Sequence, residues 1–73
     1  MAFHWTPALM DQLERAAQLG RRVAVVRQGN EYIVEARRIE AVGNREVLIG
    51  VIPMTGEEHR FELDRIEAFQ VIA

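Results

Sequence analysis

The chain has 73 residues and a mass of 8.4 kDa, and it contains no cysteine, serine or lysine. A chain this short makes one domain, and its composition excludes disulfides, thiolate metal sites, cysteine or serine nucleophiles and lysine Schiff bases. The formal charge of -2, with a pI near 5.6, argues against a strongly basic nucleic-acid binder, while 49% apolar residues are too many for disorder.

Trp5-Thr6-Pro7 reads as a helix start. Thr6 suits the N-cap, Pro7 the first helical position, and Trp5 with Met10 has the spacing of a hydrophobic staple. Leu9, Leu13, Ala16 and Ala17 fall on one face, opposite Asp11, Gln12, Glu14, Arg15 and Gln18. Gly20 supplies a left-handed stop, which predicts a helix over about 7–19.

From Arg21 the period changes from helical to extended. Val23-Ala24-Val25-Val26 is a β-branched run closed by a tight-turn signal at Gly29-Asn30, giving a strand over about 22–28. Tyr32, Val34 and Ala36 alternate with Ile33, Glu35 and Arg37, and a bent continuation through Ile39 and Val42 makes a second strand over about 31–41. Gly43-Asn44 is a second turn signal of the same kind. The third strand, about 45–52, is the most apolar, and Gly50 within it suggests a bulge or a sharp coil. Pro53-Met54-Thr55-Gly56 reads as a turn. His59, Phe61 and Leu63 then alternate with Glu58, Arg60 and Glu62 in a fourth strand over about 57–63. Leu63-Asp64-Arg65-Ile66 forms a tight corner before a closing strand over about 66–72, and Asp64 is expected to hold that corner by accepting backbone N–H groups.

One helix followed by five short strands predicts a mainly β fold, a small five-stranded barrel. The bent second and third strands curl the meander until the first strand meets the last, and the helix plugs one open end. No constellation for chemistry emerges along the way. Glu57 and Glu58 are adjacent and point to opposite faces, and His4 and His59 lack ligand spacing. The glycines stand singly and make no phosphate-cradling loop. No cofactor, metal or enzymatic activity is expected. Trp5, Phe61 and Phe69 suit core and staple roles, while Tyr32 is open to stacking a partner's base.

Charge is segregated along the chain. Residues 21–45 carry six arginines against three glutamates, whereas residues 46–73 carry Arg60 and Arg65 against six acids. Cross-strand pairing explains this, and so does a charged contact face. All nine cations are arginine, the residue suited to bidentate recognition of carboxylate and phosphate.

Two families share parts of this pattern. The stretch Leu13 to Ile72 resembles the WYL domain of bacterial transcription regulators, in which a helix ending near a glycine-arginine pair leads into a bent Sm-like or SH3-like barrel. The matching residues are Gly20-Arg21-Arg22-Val23, then Leu48 with Gly50 and Pro53, and the closing run Phe61-Glu62-Leu63-Asp64-Arg65-Ile66. The tryptophan and tyrosine of the family's naming tripeptide fall at Glu46 and Val47. Of the family's sensing arginines Arg65 carries over directly, while His59 and Glu62 stand where two others are usual. The chain is also similar to the Rho-binding antiterminator family, free-standing barrels with a Leu-Asp-x-Ile corner matching Leu63, Asp64 and Ile66.

These resemblances imply a small non-enzymatic regulatory or interaction module of bacterial transcription. Its partner would be a transcription-machinery protein (RNA polymerase, Rho or a regulator) or a nucleic acid. Arg65 and Arg60 are the first candidate contact residues, with Arg37, Arg38 and Arg45 as a second patch and Tyr32 beside them. An Rho-binding antiterminator-like inhibitor and an oligomeric Sm-type RNA-binding ring are the alternatives. Neither a membrane span nor the basic, apolar start of a signal peptide is present, so the cytoplasm is the expected address. Met1 and the full barrel count predict an intact small protein.

Overall fold

A computed structural model of the chain describes residues 4–72; Met1 to Phe3, read above for targeting, lie outside the described residues. The elements are α1 (Pro7–Leu19), β1 (Arg22–Arg27), β2 (Asn30–Val42), β3 (Arg45–Val51), β4 (Glu58–Glu62), a 3-10 turn (Leu63–Arg65) and β5 (Ala68–Val71). The fold is mainly β, one helix with a five-stranded antiparallel sheet in the order β4-β3-β2-β1-β5. As expected, the first strand pairs with the last: Val23 to Val26 face Val71 to Ala68.

The helix ends are set by the residues that suggested them. Thr6 Oγ1 accepts from Leu9 N at 3.2 Å, and Pro7 occupies the first turn. Gly20, at φ +66°, sends its N–H to the Ala16 and Ala17 carbonyls. Leu13, Ala16 and Ala17 are the buried face, packed into a core with Val23, Val25, Val34, Ala36, Leu48, Phe61, Leu63 and Ile66. Trp5 leaves the helix start to stack on Phe69 (5.2 Å between centroids, 17° between planes). Its indole N–H donates to the Leu63 carbonyl at 2.9 Å.

Three local details differ from the sequence expectation. The first hairpin turn is Gln28-Gly29, one residue earlier than expected, because Arg27 and Asn30 pair in register. Both turn residues have positive φ, +53° and +75°, the pattern of a type I′ turn. In the second turn, between paired Val42 and Arg45, only Gly43 is left-handed, so the two turns are of different kinds. Third, the Asp64 side chain accepts no backbone N–H among the described residues. Ile66 N to Leu63 O at 3.3 Å closes the corner, and Trp5 takes the same carbonyl.

The bend in the sheet lies where Gly50 stands. The register of β2 on β3 slips between Ala36 and Arg38, opposite Gly50 and Ile49. Arg37 is the extra residue, and it switches the inward phase from Tyr32, Val34 and Ala36 to Ile39. A Cβ built on Gly50 would lie 2.7 Å from Val34 Cγ2 and 2.9 Å from Val34 Cβ. Only a bare backbone lets β3 approach the buried Val34 this closely.

Gly50→Ala is therefore expected to destabilise the fold by about 1–3 kcal/mol, as overpacking does. A domain of this size loses roughly 4–8 °C in Tm per kcal/mol. Thermal unfolding followed by circular dichroism checks this, and an unchanged Tm would contradict the packing described.

Candidate arginine groove

β3 is apolar on both faces, and that shapes the outer surface. Leu48 points into the core, while Val47 and Ile49 alternate to the outside and are nevertheless buried. In register beside Ile49 stand Arg38 on β2 and Arg60 on β4; beside Val47 stand Glu40 and Glu62. Long charged side chains on both flanking strands can lay their stems over the apolar strip and keep their heads in water.

The heads are joined in ion pairs across that strip. Glu40 Oε2 accepts from Arg38 Nε at 2.8 Å, and its other oxygen lies 3.6 Å from Arg60 Nη2. Glu62 accepts from Arg45 Nη1 at 3.0 and 3.2 Å, and its Oε2 lies 2.9 Å from Arg65 Nε in a second ion pair. Arg37 pairs with Glu35 at 3.2 Å. The hydrogen bond from Arg38 holds the Glu40 carboxyl below the usual glutamate range, helped by the charges of Arg38 and Arg60, and holds the Arg38 guanidinium above its ordinary value. Exposed, solvent-screened pairs of this type hold little stability, so they are readily exchanged for other partners.

At one end of this surface is a groove of about 630 Å³, lined by Arg27, Gln28, Val42, Arg45, Val47, Arg60, Glu62 and Arg65. Four arginines and a single acid thus line this groove, in a chain whose total charge is -2. Three of the expected contact residues, Arg45, Arg60 and Arg65, meet here. Arg37 and Arg38 lie apart, lining a smaller groove with Glu14, Ala17, Gln18 and Ile39, although Glu40 links Arg38 to Arg60. Tyr32 lies outside the groove lining. Its ring is 5.5 Å from Phe61 and 6.0 Å from His59, and the Arg27 guanidinium lies over it at 5.2 Å. His59 is half-buried, with Nε2 3.2 Å from a Glu57 oxygen.

Arg27 is the groove residue that sequence reasoning passed over. Its guanidinium lies 4.8 Å from the Phe61 ring centre, and its Nη1 donates to the Arg60 carbonyl at 3.1 Å. The signal was present in the alternation: Val23, Val25 and Arg27 share one phase of β1, which puts an arginine at the mouth of the barrel. Gln28 enters the groove from the first position of the β1–β2 turn.

Among the described residues no group of three or more histidines and acids is placed to hold a metal ion, and no helix is long and apolar enough to cross a membrane. No family model matches this chain, and no curated protein matches it.

The Glu40 cluster carries a pH signature. A carboxyl with a lowered pKa in the folded state adds stability above its unfolded value, about 4.3 for glutamate, and loses it as pH falls through the folded value. Carboxyl NMR titration is expected to place Glu40 below the ordinary range and to return it toward that range in Arg38→Gln. The same titration in both proteins would contradict the Arg38 bond as the cause.

Proposed function

We propose that this protein is a small non-enzymatic interaction module of bacterial transcription, and that it holds its partner in the arginine groove. The convergence of Arg27, Arg45, Arg60 and Arg65 on one concave surface carries the binding part of this reading. Guanidiniums remain charged throughout the physiological pH range and present forked donors to carboxylate or phosphate. The lining of arginine, valine, glutamate and glutamine suits ion pairing with an anionic surface. The pairs already present are exposed and weakly held, so a partner can replace them at small cost.

The transcription part rests on resemblance. The run Phe61-Glu62-Leu63-Asp64-Arg65-Ile66 is similar to the closing signature of WYL domains, and its Leu63-Asp64-x-Ile66 corner to that of the Rho-binding antiterminators. In this chain the same run supplies both core and groove. Phe61, Leu63 and Ile66 are buried, while Glu62 and Arg65 face the partner side.

Affinity capture from a bacterial extract tests the assignment. RNA polymerase, Rho or a transcription factor is expected with the parent protein and is expected to be lost with Arg45→Ala/Arg65→Ala. Recovery of none of these would overturn the transcription reading.

A second reading is favoured by the sheet edges. Among the described residues β4 pairs only with β3 and β5 only with β1, leaving two strand edges without a ladder partner. Such edges recruit further strands, and an oligomeric Sm-type RNA-binding ring would use them. Light scattering gives the mass in solution. A monomer whose RNA binding is insensitive to salt would sink the ring.

A further inference from the structure

The groove is already organised around a carboxylate that belongs to the protein itself. Arg45 Nη1 reaches both oxygens of Glu62 from β3, and Arg65 Nε, in the 3-10 turn, lies 2.9 Å from one of them. Glu62 is the one acid among the described groove residues. The two apolar residues of the lining are Val47, which is buried, and Val42, which is 50% exposed. The described lining contains no aromatic ring. Tyr32 and Phe61 lie beneath Arg27, and Trp5 and Phe69 stack on each other.

We infer that the groove takes an acidic peptide segment of a protein partner, and that Glu62 is an internal competitor which the partner's carboxylate displaces. This deepens the binding reading above and depends on it. A carboxylate arriving beside Glu62 meets two guanidiniums held in the geometry that already binds one. Arg60, two residues from Glu62 along β4 and on the same face, is there for a second carboxylate. An apolar side chain between the acids finds Val42, which otherwise faces water. Single-stranded nucleic acid fits less well, because its bases need rings to stack on and the groove presents none. The arginines are poised but masked: Glu62 neutralises part of the charge until a better-placed anion arrives.

The test uses the intact protein and two fluorescein-labelled probes of matched charge, a short peptide alternating glutamate with leucine and an oligouridine, followed by fluorescence anisotropy. The peptide is expected to bind more tightly than the oligouridine, with an affinity that falls as salt is added. Glu62→Gln is expected to tighten peptide binding about two- to five-fold, the worth of one exposed pair, and Arg65→Ala to weaken it by a similar factor. Glu58→Gln changes net charge equally on the same strand, outside the groove lining, and is expected to leave affinity unchanged. All three positions are solvent-accessible, and circular dichroism verifies the fold of each variant.

Tighter binding of oligouridine than of peptide would make the groove a nucleic-acid site and overturn the inference. Equal effects of Glu62→Gln and Glu58→Gln would reduce Glu62 to a bystander charge and overturn the competitor role. Neither result bears on the capture experiment, which reads the transcription assignment separately.

Discussion

The contact between Gly50 and Val34 is the constraint on which the rest of the molecule depends. A flat five-stranded sheet would leave β1 far from β5 and the helix without a concave surface to fill. Bringing β3 against the buried Val34, opposite the extra residue Arg37, bends the sheet enough for the first strand to pair with the last. Leu13, Ala16 and Ala17 then have somewhere to go. Closure is completed by side chains rather than by a backbone ladder: Trp5 takes the Leu63 carbonyl and Arg27 the Arg60 carbonyl. A domain this small buries a limited fraction of its surface, so each of these contacts is a sizeable share of its stability.

The same bend organises the charges. Because β3 is apolar on both faces, its neighbours must cover the outside of Val47 and Ile49. Arginines and glutamates, with long stems and solvated heads, meet that need while remaining available for exchange. The proposed contact face draws on the same residues that make the cross-strand ion pairs. Arg45 from the basic half and Glu62 from the acidic half form a cross-strand pair and also line the groove.

Much of the fold was legible in the sequence because local chemistry and global packing agree. Thr6, Pro7 and Gly20 mark the helix by their own conformational preferences, and alternation along Tyr32 to Ala36 and His59 to Leu63 identifies the inward faces. The first turn was harder. Gln28 adopts a left-handed backbone that its residue type does not advertise, whereas Gly29-Asn30 carries a familiar turn signal. Asp64 suggests a local hydrogen bond by its residue type, yet the Leu63 carbonyl at the corner takes both the local Ile66 N–H and the indole N–H of a tryptophan 58 positions away, and no local rule foresees the second. For the groove, Arg45, Arg60 and Arg65 were each visible, but not their meeting. Their convergence depends on register, and Arg27 joins them through a strand phase that a bulge-free reading of β1 contains but does not emphasise.

Trp5 is the chain's single tryptophan, and it lies where α1, β5 and the carbonyl that follows β4 come together. Its emission is thus an intrinsic optical probe of the seam between β4 and β5. If those edges part, the indole cannot keep both Phe69 and the Leu63 carbonyl, and its fluorescence shifts to the red as water reaches the ring. The opening of the barrel can be followed in the unmodified protein, without a label and separately from the unfolding of the core around Phe61.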